Sequence, residues 1–432
     1  MTARRGGSFV VAWLTCIALL ALAAPPPASA ELVLVVNRAN DLADIAPGDD
    51  VCDTRIAFAG DQCTLRAAIE ETNAVPGPDR IAFNIPGPGV RTIGLTDQLP
   101  GITDRVQING YTQGVARPNT KPLGQGDNAT LLVELSGENA PSAVNGLSLE
   151  PPNAAGSVIK GLVINHVPIG LRVDANATIQ GNFIGTTASG NADGGIAFDG
   201  IFHEIVDLQV GGTTPAARNI ISGTGGSAIN GTGVVTVQGN FIGTRRDGTT
   251  PLPNAVSGIR LFNSGNTIGG VGGGNVIAFN GSDGITLFNS SVGNSIRRNR
   301  IFSNGGLGID LNDDGVTPND AGDSDTGPNQ RQNFPGIISA TRAPSGAVTV
   351  TGRLGSAPNQ QYTLEFFANP PSGDEGRNFI GEKAVMTNGA GLASFTFHPA
   401  NSVALDNRIT ATATDVNGST SEFSQSRRVV AG

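Results

Sequence analysis

One heptapeptide occurs twice in this chain: Gln180 to Thr186 and Gln238 to Thr244 both read QGNFIGT, 58 residues apart. Related strings fall between and beyond them, namely RNII at Arg218 to Ile221, GNVI at Gly274 to Ile277 and RNRI at Arg298 to Ile301. Aligned on their last isoleucine they give Ile184, Ile221, Ile242, Ile277 and Ile301, with an earlier relative at Ile164, in steps of 20, 37, 21, 35 and 24 residues. A period of roughly 20 to 25 residues is what one coil of a parallel β-helix needs, three short strands and three bends. The long steps read as the same coil plus a polar excursion, TTASGNADGG at Thr186 to Gly195 and TRRDGTTPLPN at Thr244 to Asn254. Leucine-rich repeats share the period but need a leucine framework this segment lacks. Helical repeats do not tolerate so much glycine. The expected fold is all-β, a right-handed single-stranded parallel β-helix.

Stacking places equivalent residues about 4.8 Å apart along the axis. The aligned isoleucines then form an inward aliphatic ladder. Asn182, Asn219, Asn240, Asn275 and Asn299, each two residues earlier, form a second ladder at a bend, where amide side chains satisfy backbone groups and one another. Their expected role is structural.

The chain opens as a secretory leader does, over residues 1–30: Arg4 and Arg5, an apolar run from Phe9 to Ala23, and the small-residue site Ala28-Ser29-Ala30. A secreted or cell-surface location follows. Export also puts Cys52 and Cys63 where a disulfide persists, and the two are expected to pair. Without the leader, 25 basic residues face 36 acidic ones, a formal balance of −11. That sign excludes nucleic acid and anionic lipid as partners. A monomer is expected.

Residues 31–85 read as an N-terminal cap whose best element is a helix over Thr64 to Asn73, with Thr64 as its N-cap and Pro76-Gly77-Pro78 forbidding continuation. Solenoids need such lids over an otherwise open core. Coils occupy 86–311, an acidic junction 312–335, and short alternating strands over 336–432 predict an immunoglobulin-like β-sandwich.

Cys63 to Asn73 (CTLRAAIEETN) resembles the motif of bacterial exported CSLREA proteins, in which Cys-x-Leu-Arg-x-Ala-Ile precedes β-helix repeats. The match holds at Cys63, Leu65, Arg66, Ala68 and Ile69, with Ala67 where the motif name has Glu. GGTTPAARNIISG at Gly211 to Gly223 and the segment from Leu307 to Pro335 are similar too. The resemblance spans nearly all of the chain after the leader. It implies a pectin-lyase-like β-helix and says little about activity.

Folds of that kind host lyases, hydrolases and non-catalytic proteins, so chemistry must be argued from residues. The strongest acid–base candidates are Asp193, Asp199, His203, Glu204 and Asp207, without the Asp-Asp and Gly-His-Gly strings of polygalacturonase-type hydrolases. Arg297, Arg298 and Arg300 lie close in sequence, but alternation sends Arg297 to the face opposite Arg298 and Arg300. His166 and His398 have no evident partners. The expectation is a non-enzymatic exported protein that binds glycan or another cell-envelope component; the alternative is a polysaccharide lyase or glycoside hydrolase with an unfamiliar site. A calcium site is expected in the acidic junction. Asp310, Asn312, Asp314 and Gly315 reproduce the opening of an EF-hand loop, the twelfth position is Ala321 instead of Glu, and Asp320, Asp323 and Asp325 are available to complete the oxygen set.

Overall fold

The computed structural model describes residues 1–2, 31–55, 62–141, 144–204 and 206–432, so the expected leader lies outside the described residues save for its first two positions. Three parallel sheets run the length of the coiled region, of nine, eight and seven strands. The first begins at Val33–Val36 and ends at Ser295–Arg297, the second runs from Arg91–Gly94 to Arg300–Phe302, and the third from Leu147–Leu149 to Ile309–Leu311. Each full coil gives one strand to each sheet. The fold is a parallel β-helix, and its first sheet already begins inside the segment expected to be a cap, where Val33–Val36 pairs with Asp79–Phe83.

The aligned isoleucines are rung partners in unbroken succession from Ile164 through Ile184, Ile221, Ile242 and Ile277 to Ile301. None is more than 1 % exposed. Each such side chain contributes roughly 1.5–3 kcal/mol of burial. At the adjoining bend the asparagines form the expected ladder, always in one direction. The backbone N–H and side-chain Nδ2 of Asn182 both donate to Asn219 Oδ1, at 2.9 and 3.3 Å, and Asn219 does the same to Asn240, at 3.2 and 2.9 Å. Asn240 to Asn275 and Asn275 to Asn299 repeat the pattern. The other two bends carry ladders of their own near the C-terminal end, Asn254, Asn280 and Asn304 at one and Asn266, Asn294 and Asn329 at the other.

The excursions of the long coils fold back over the outer face of the second sheet. Phe183 and Phe241 point outward there, yet both are fully buried. Gly190 and Gly248 lie close upon them: a Cβ on either glycine would stand 3.1 or 2.8 Å from the ring.

One helix, α1 (Leu65–Ala74), closes the N-terminal end. Thr64 Oγ1 accepts from Ala67 N at 3.0 Å, and Leu65, Ala68 and Ile69 enter the core. Cys52 and Cys63 are joined by a disulfide. Arg66 donates Nε and Nη2 to the two oxygens of Asp41 at 2.9 and 2.8 Å and reaches the carbonyls of Asp97 and Gln98. Burial of Asp41 works against its charged form, but the Arg66 pair and the Thr96 hydrogen bonds outweigh it and hold the carboxyl below its ordinary value. Leu65, Arg66, Ala68 and Ile69 thus plug and clamp one end of the solenoid, with Ala67 fully buried beside them.

The C-terminal end is closed by a β-sandwich of two four-stranded sheets. Its core holds Val350, Leu354, Leu364, Phe366 and Ala411, with Phe366 stacked on Phe397 at 4.1 Å. The last coil of a β-helix leaves backbone N–H groups without a following rung, an edge that must be covered. The sandwich supplies a glutamate at three places on that edge. Glu365 accepts from Arg298 N at 2.8 Å, Glu375 from Asn304 N at 3.2 Å, and Glu422 from Leu311 N and Thr317 N at 3.1 and 2.9 Å. Glu375 therefore stands where the next asparagine of its ladder would be.

Candidate functional site

The five acid–base candidates do not gather into one centre. His203 ends a strand of the third sheet (Ile201–His203) and points into the core, fully buried, with neither ring nitrogen hydrogen-bonded. Burial pushes its pKa down to about 4, with Asp174 pulling weakly the other way. Asp193 Oδ1 accepts from Gly195 N at 2.7 Å within its own turn, and Asp199 accepts from Ser227 N and Asn230 Nδ2 at 2.8 and 2.9 Å. Glu204 lies 3.7 Å from Arg172, and Asp207 N donates to Asn176 Oδ1 at 2.9 Å.

What the third sheet does present is a row of outward side chains, one per coil. Arg172, Phe202, Asn230, Arg260, Thr286 and Asp310 are successive rung partners. The alternation of β-strands puts them on the face opposite Ile201, Ile229, Ile259 and Ile285, which are buried inside. One step further along, Phe262 and Phe288 stack at 4.4 Å with planes 8° apart, and the Arg260 guanidinium sits 4.8 Å from the Phe288 centroid. Arg172 pairs with Asp174 at 2.8 Å, and Phe198, just before the Ile201–His203 strand, is 60 % exposed. Thr286 and Asp310 are buried, but from Arg172 to Arg260, with Phe262 and Phe288 beside them, half-buried aromatic faces, guanidinium groups and an amide repeat at the rung spacing on a partly exposed surface. Sequence reasoning missed this row because it aligned only the second sheet. A signal was present: Gly170-Leu171, Gly200-Ile201, Gly258-Ile259, Gly284-Ile285 and Gly308-Ile309 open strands of the third sheet, with Ala228 before the remaining Ile229–Gly231 strand between them. At Gly170 a Cβ would stand 2.4 Å from Gly200 O, so that bend requires glycine.

The acidic junction is only partly convergent. Asp310 turns to its own loop, accepting from Asp314 N and Gly315 N at 3.3 and 3.1 Å. Asp314 pairs with Arg331 at 3.0 Å and takes a hydrogen bond from Asn312 Nδ2 at 3.1 Å. Asp320, Asp323 and Asp325, in contrast, bring one carboxylate oxygen each within 4.8 Å of the others. Asp323 is anchored by Gln332 Nε2 at 2.7 Å, Asn333 N at 2.9 Å and the Ser356 hydroxyl, while Asp320 Oδ1 and Asp325 Oδ1 have no hydrogen-bond partner. Burial raises the pKa of Asp323 and of Asp325, and the neighbouring carboxylates add to it. Three converging oxygens with two free acceptors form a donor set suited to a hard cation such as calcium.

Arg297 and Arg298 both engage Glu365 and Glu382, at 2.8 to 3.7 Å. Among the described residues no helix is long and apolar enough to cross a membrane. Compared with known proteins, the chain matches no family model and no curated relative.

Proposed function

We propose that the chain is an exported, non-enzymatic β-helix protein that binds a glycan or another cell-envelope component along the outer face of its third sheet. The row Arg172, Phe202, Asn230, Arg260, flanked by the Phe262–Phe288 stack, carries this reading. Sugar rings present apolar faces and hydroxyl edges, and an open row of aromatic faces and fixed polar groups meets both. The second sheet is closed to ligands by the excursions. Burial of His203 in the core leaves the acid–base candidates without their imidazole at the surface, which favours binding over turnover. The leader-like start and the disulfide support export, to the cell surface or beyond, and the CSLREA-like residues at the plugged end support a bacterial, pectin-lyase-like origin of the fold. The protein acts as a monomer without nucleic-acid partners. Asp320, Asp323 and Asp325 hold a structural calcium ion at the foot of the sandwich.

The test is co-sedimentation of the chain with insoluble chitin, cellulose, pectin gel and peptidoglycan sacculi, with soluble sugar release followed in parallel. Retention on one polymer without sugar release, reduced at least about tenfold by Arg260→Ala or Phe288→Ala, supports the reading. Sugar release, or retention indifferent to both substitutions, overturns it.

A further inference from the structure

A second surface, on a different corner of the molecule, has the character of an anion site. Where the first and second sheets meet, a groove of about 610 Å3 runs between the segment around Leu123 and Pro215 on one side and Phe379 of the sandwich on the other, with Arg300 and bare glycines such as Gly239 and Gly274 within it. The sandwich wall is fixed by a bridge between Ile301 and Gly376, closed by hydrogen bonds in both directions at 3.0 and 2.9 Å.

Its charges are not balanced as those next to it are. Arg298 is matched by Glu382 at 2.9 Å, and Arg218 is spent on the carbonyls of Lys121, Gly126 and Gly239. Arg300, half-buried, reaches only the carbonyl of Arg377, at 3.4 Å from Nε. Arg377, which precedes Asn378 at the edge of the groove, lays its guanidinium over Phe302 at 4.3 Å. Among the described residues neither guanidinium has a carboxylate partner. In a chain with 36 acidic residues against 27 basic ones, two adjacent arginines left without an acid are a deficit that a ligand can fill. Burial and the charge of Arg377 both press against the protonated form of Arg300, so an incoming anion would relieve both.

We propose that this groove binds an oxyanion, carboxylate or phosphoryl, carried on a sugar-sized ring. Arg300 offers its free Nη hydrogens to the oxyanion, whose two oxygens match a guanidinium fork. Arg377 adds the second charge, and Leu123, Pro215 and Phe379 flank the ring. The site lies apart from the outer face of the third sheet, and its existence does not depend on glycan binding there.

Three ligands that share a ring separate the possibilities: glucose 6-phosphate, glucuronate and glucose, titrated calorimetrically into the full chain in a phosphate-free buffer of low ionic strength. At least one anionic sugar should bind at millimolar or lower concentration, with glucose weaker by at least about tenfold. The tighter of the two names the oxyanion. Arg300→Gln should weaken that binding at least about tenfold, and Arg377→Gln several-fold, with Arg38→Gln at the far end of the molecule as the unaffected control. Should Arg300→Gln fail to fold, Arg377→Gln carries the test, because that guanidinium makes no hydrogen bond to the described residues. No binding of either anion, equal binding of glucose, or binding that survives Arg377→Gln unchanged would overturn the proposal.

Discussion

The imidazole of His203 fills the space that Gly231, its rung partner on the next coil, leaves by having no side chain: a Cβ at position 231 would stand 2.1 Å from His203 Cδ2. Burial holds the ring neutral, lowering its pKa to about 4 from the ordinary 6.5. A base whose folded pKa is lowered contributes stability that is complete above its unfolded value and is lost as the pH falls from 6.5 through 4. Roughly 3 kcal/mol is at stake. Urea unfolding of wild type and His203→Leu at neutral pH and near pH 4 measures it. The variant should lose less stability on acidification than wild type; equal losses would show that His203 is not the sensor. Gly231→Ala, which forces the ring aside, should cost about 1–3 kcal/mol at neutral pH.

At the opposite end of the pH scale the glutamates on the last coil respond. Burial raises Glu375 to about 8 and Glu422 to about 7, from the ordinary 4.5. The stability they contribute is whole below pH 4.5 and is lost as the pH rises through those values. The junction should loosen progressively from about pH 4.5 to about pH 8 and then level off, with roughly 2 kcal/mol of the loss falling above neutral pH. Glu375→Gln keeps an acceptor for Asn304 but cannot ionise, so it should flatten this alkaline loss in thermal melts. A variant curve parallel to that of wild type would contradict the assignment.

Within the asparagine ladder, Asn240 accepts from Asn219 and donates to Val210 O, Gln238 O and Asn275 Oδ1. Asn240→Ala strands these groups in a dry interior and should cost about 2–4 kcal/mol. Asn240→Asp is expected to be as harmful, since it brings a charge and loses the donor. Chemical denaturation decides, and a loss below about 1 kcal/mol for both would mean that water takes over the ladder's bonds.

Calcium should bind through Asp320, Asp323 and Asp325. Titration of chelator-stripped protein is expected to show one site, weakened at least about tenfold by Asp320→Asn or Asp325→Asn and changed less than about twofold by Asp314→Asn, whose carboxylate is already engaged by Arg331. No binding at millimolar calcium would sink the site.

The second-sheet isoleucines and their asparagines were legible because stacking repeats an environment, and repeated environments select repeated residues. α1 and its Thr64 cap were legible for a local reason: hydrogen-bonding side chain, apolar face and proline stop all lie within one short segment. That His203 lies on a strand and points into the core was not legible, because Ile201–His203 sits inside a long coil and shares with the strands beside it only an apolar first residue and, with one of them, the glycine before it. The three glutamates on the last coil were not legible at all. Their partners lie 67 to 111 residues away in sequence, and nothing in a lone glutamate tells which backbone it will meet. In the acidic junction the EF-hand-like opening is engaged by its own loop, and the convergence of Asp320, Asp323 and Asp325 depends on how that loop folds back, which spacing alone does not show.

Because every coil presents the same upper and lower edge, the distance between the plugged end and the sandwich is a quantity that duplication sets freely. The interval from Gln180 to Gln238 covers two rungs, so inserting a copy of it would lengthen the shaft by roughly 10 Å while stacking coils through the same parallel pairing as before. Deleting it would shorten the shaft by the same step. The amide bonds of the ladder all point one way and would join across either splice without a mismatch. The protein is in this sense a ruler graduated in pairs of rungs, whose reach could change in evolution while both of its ends stayed the same.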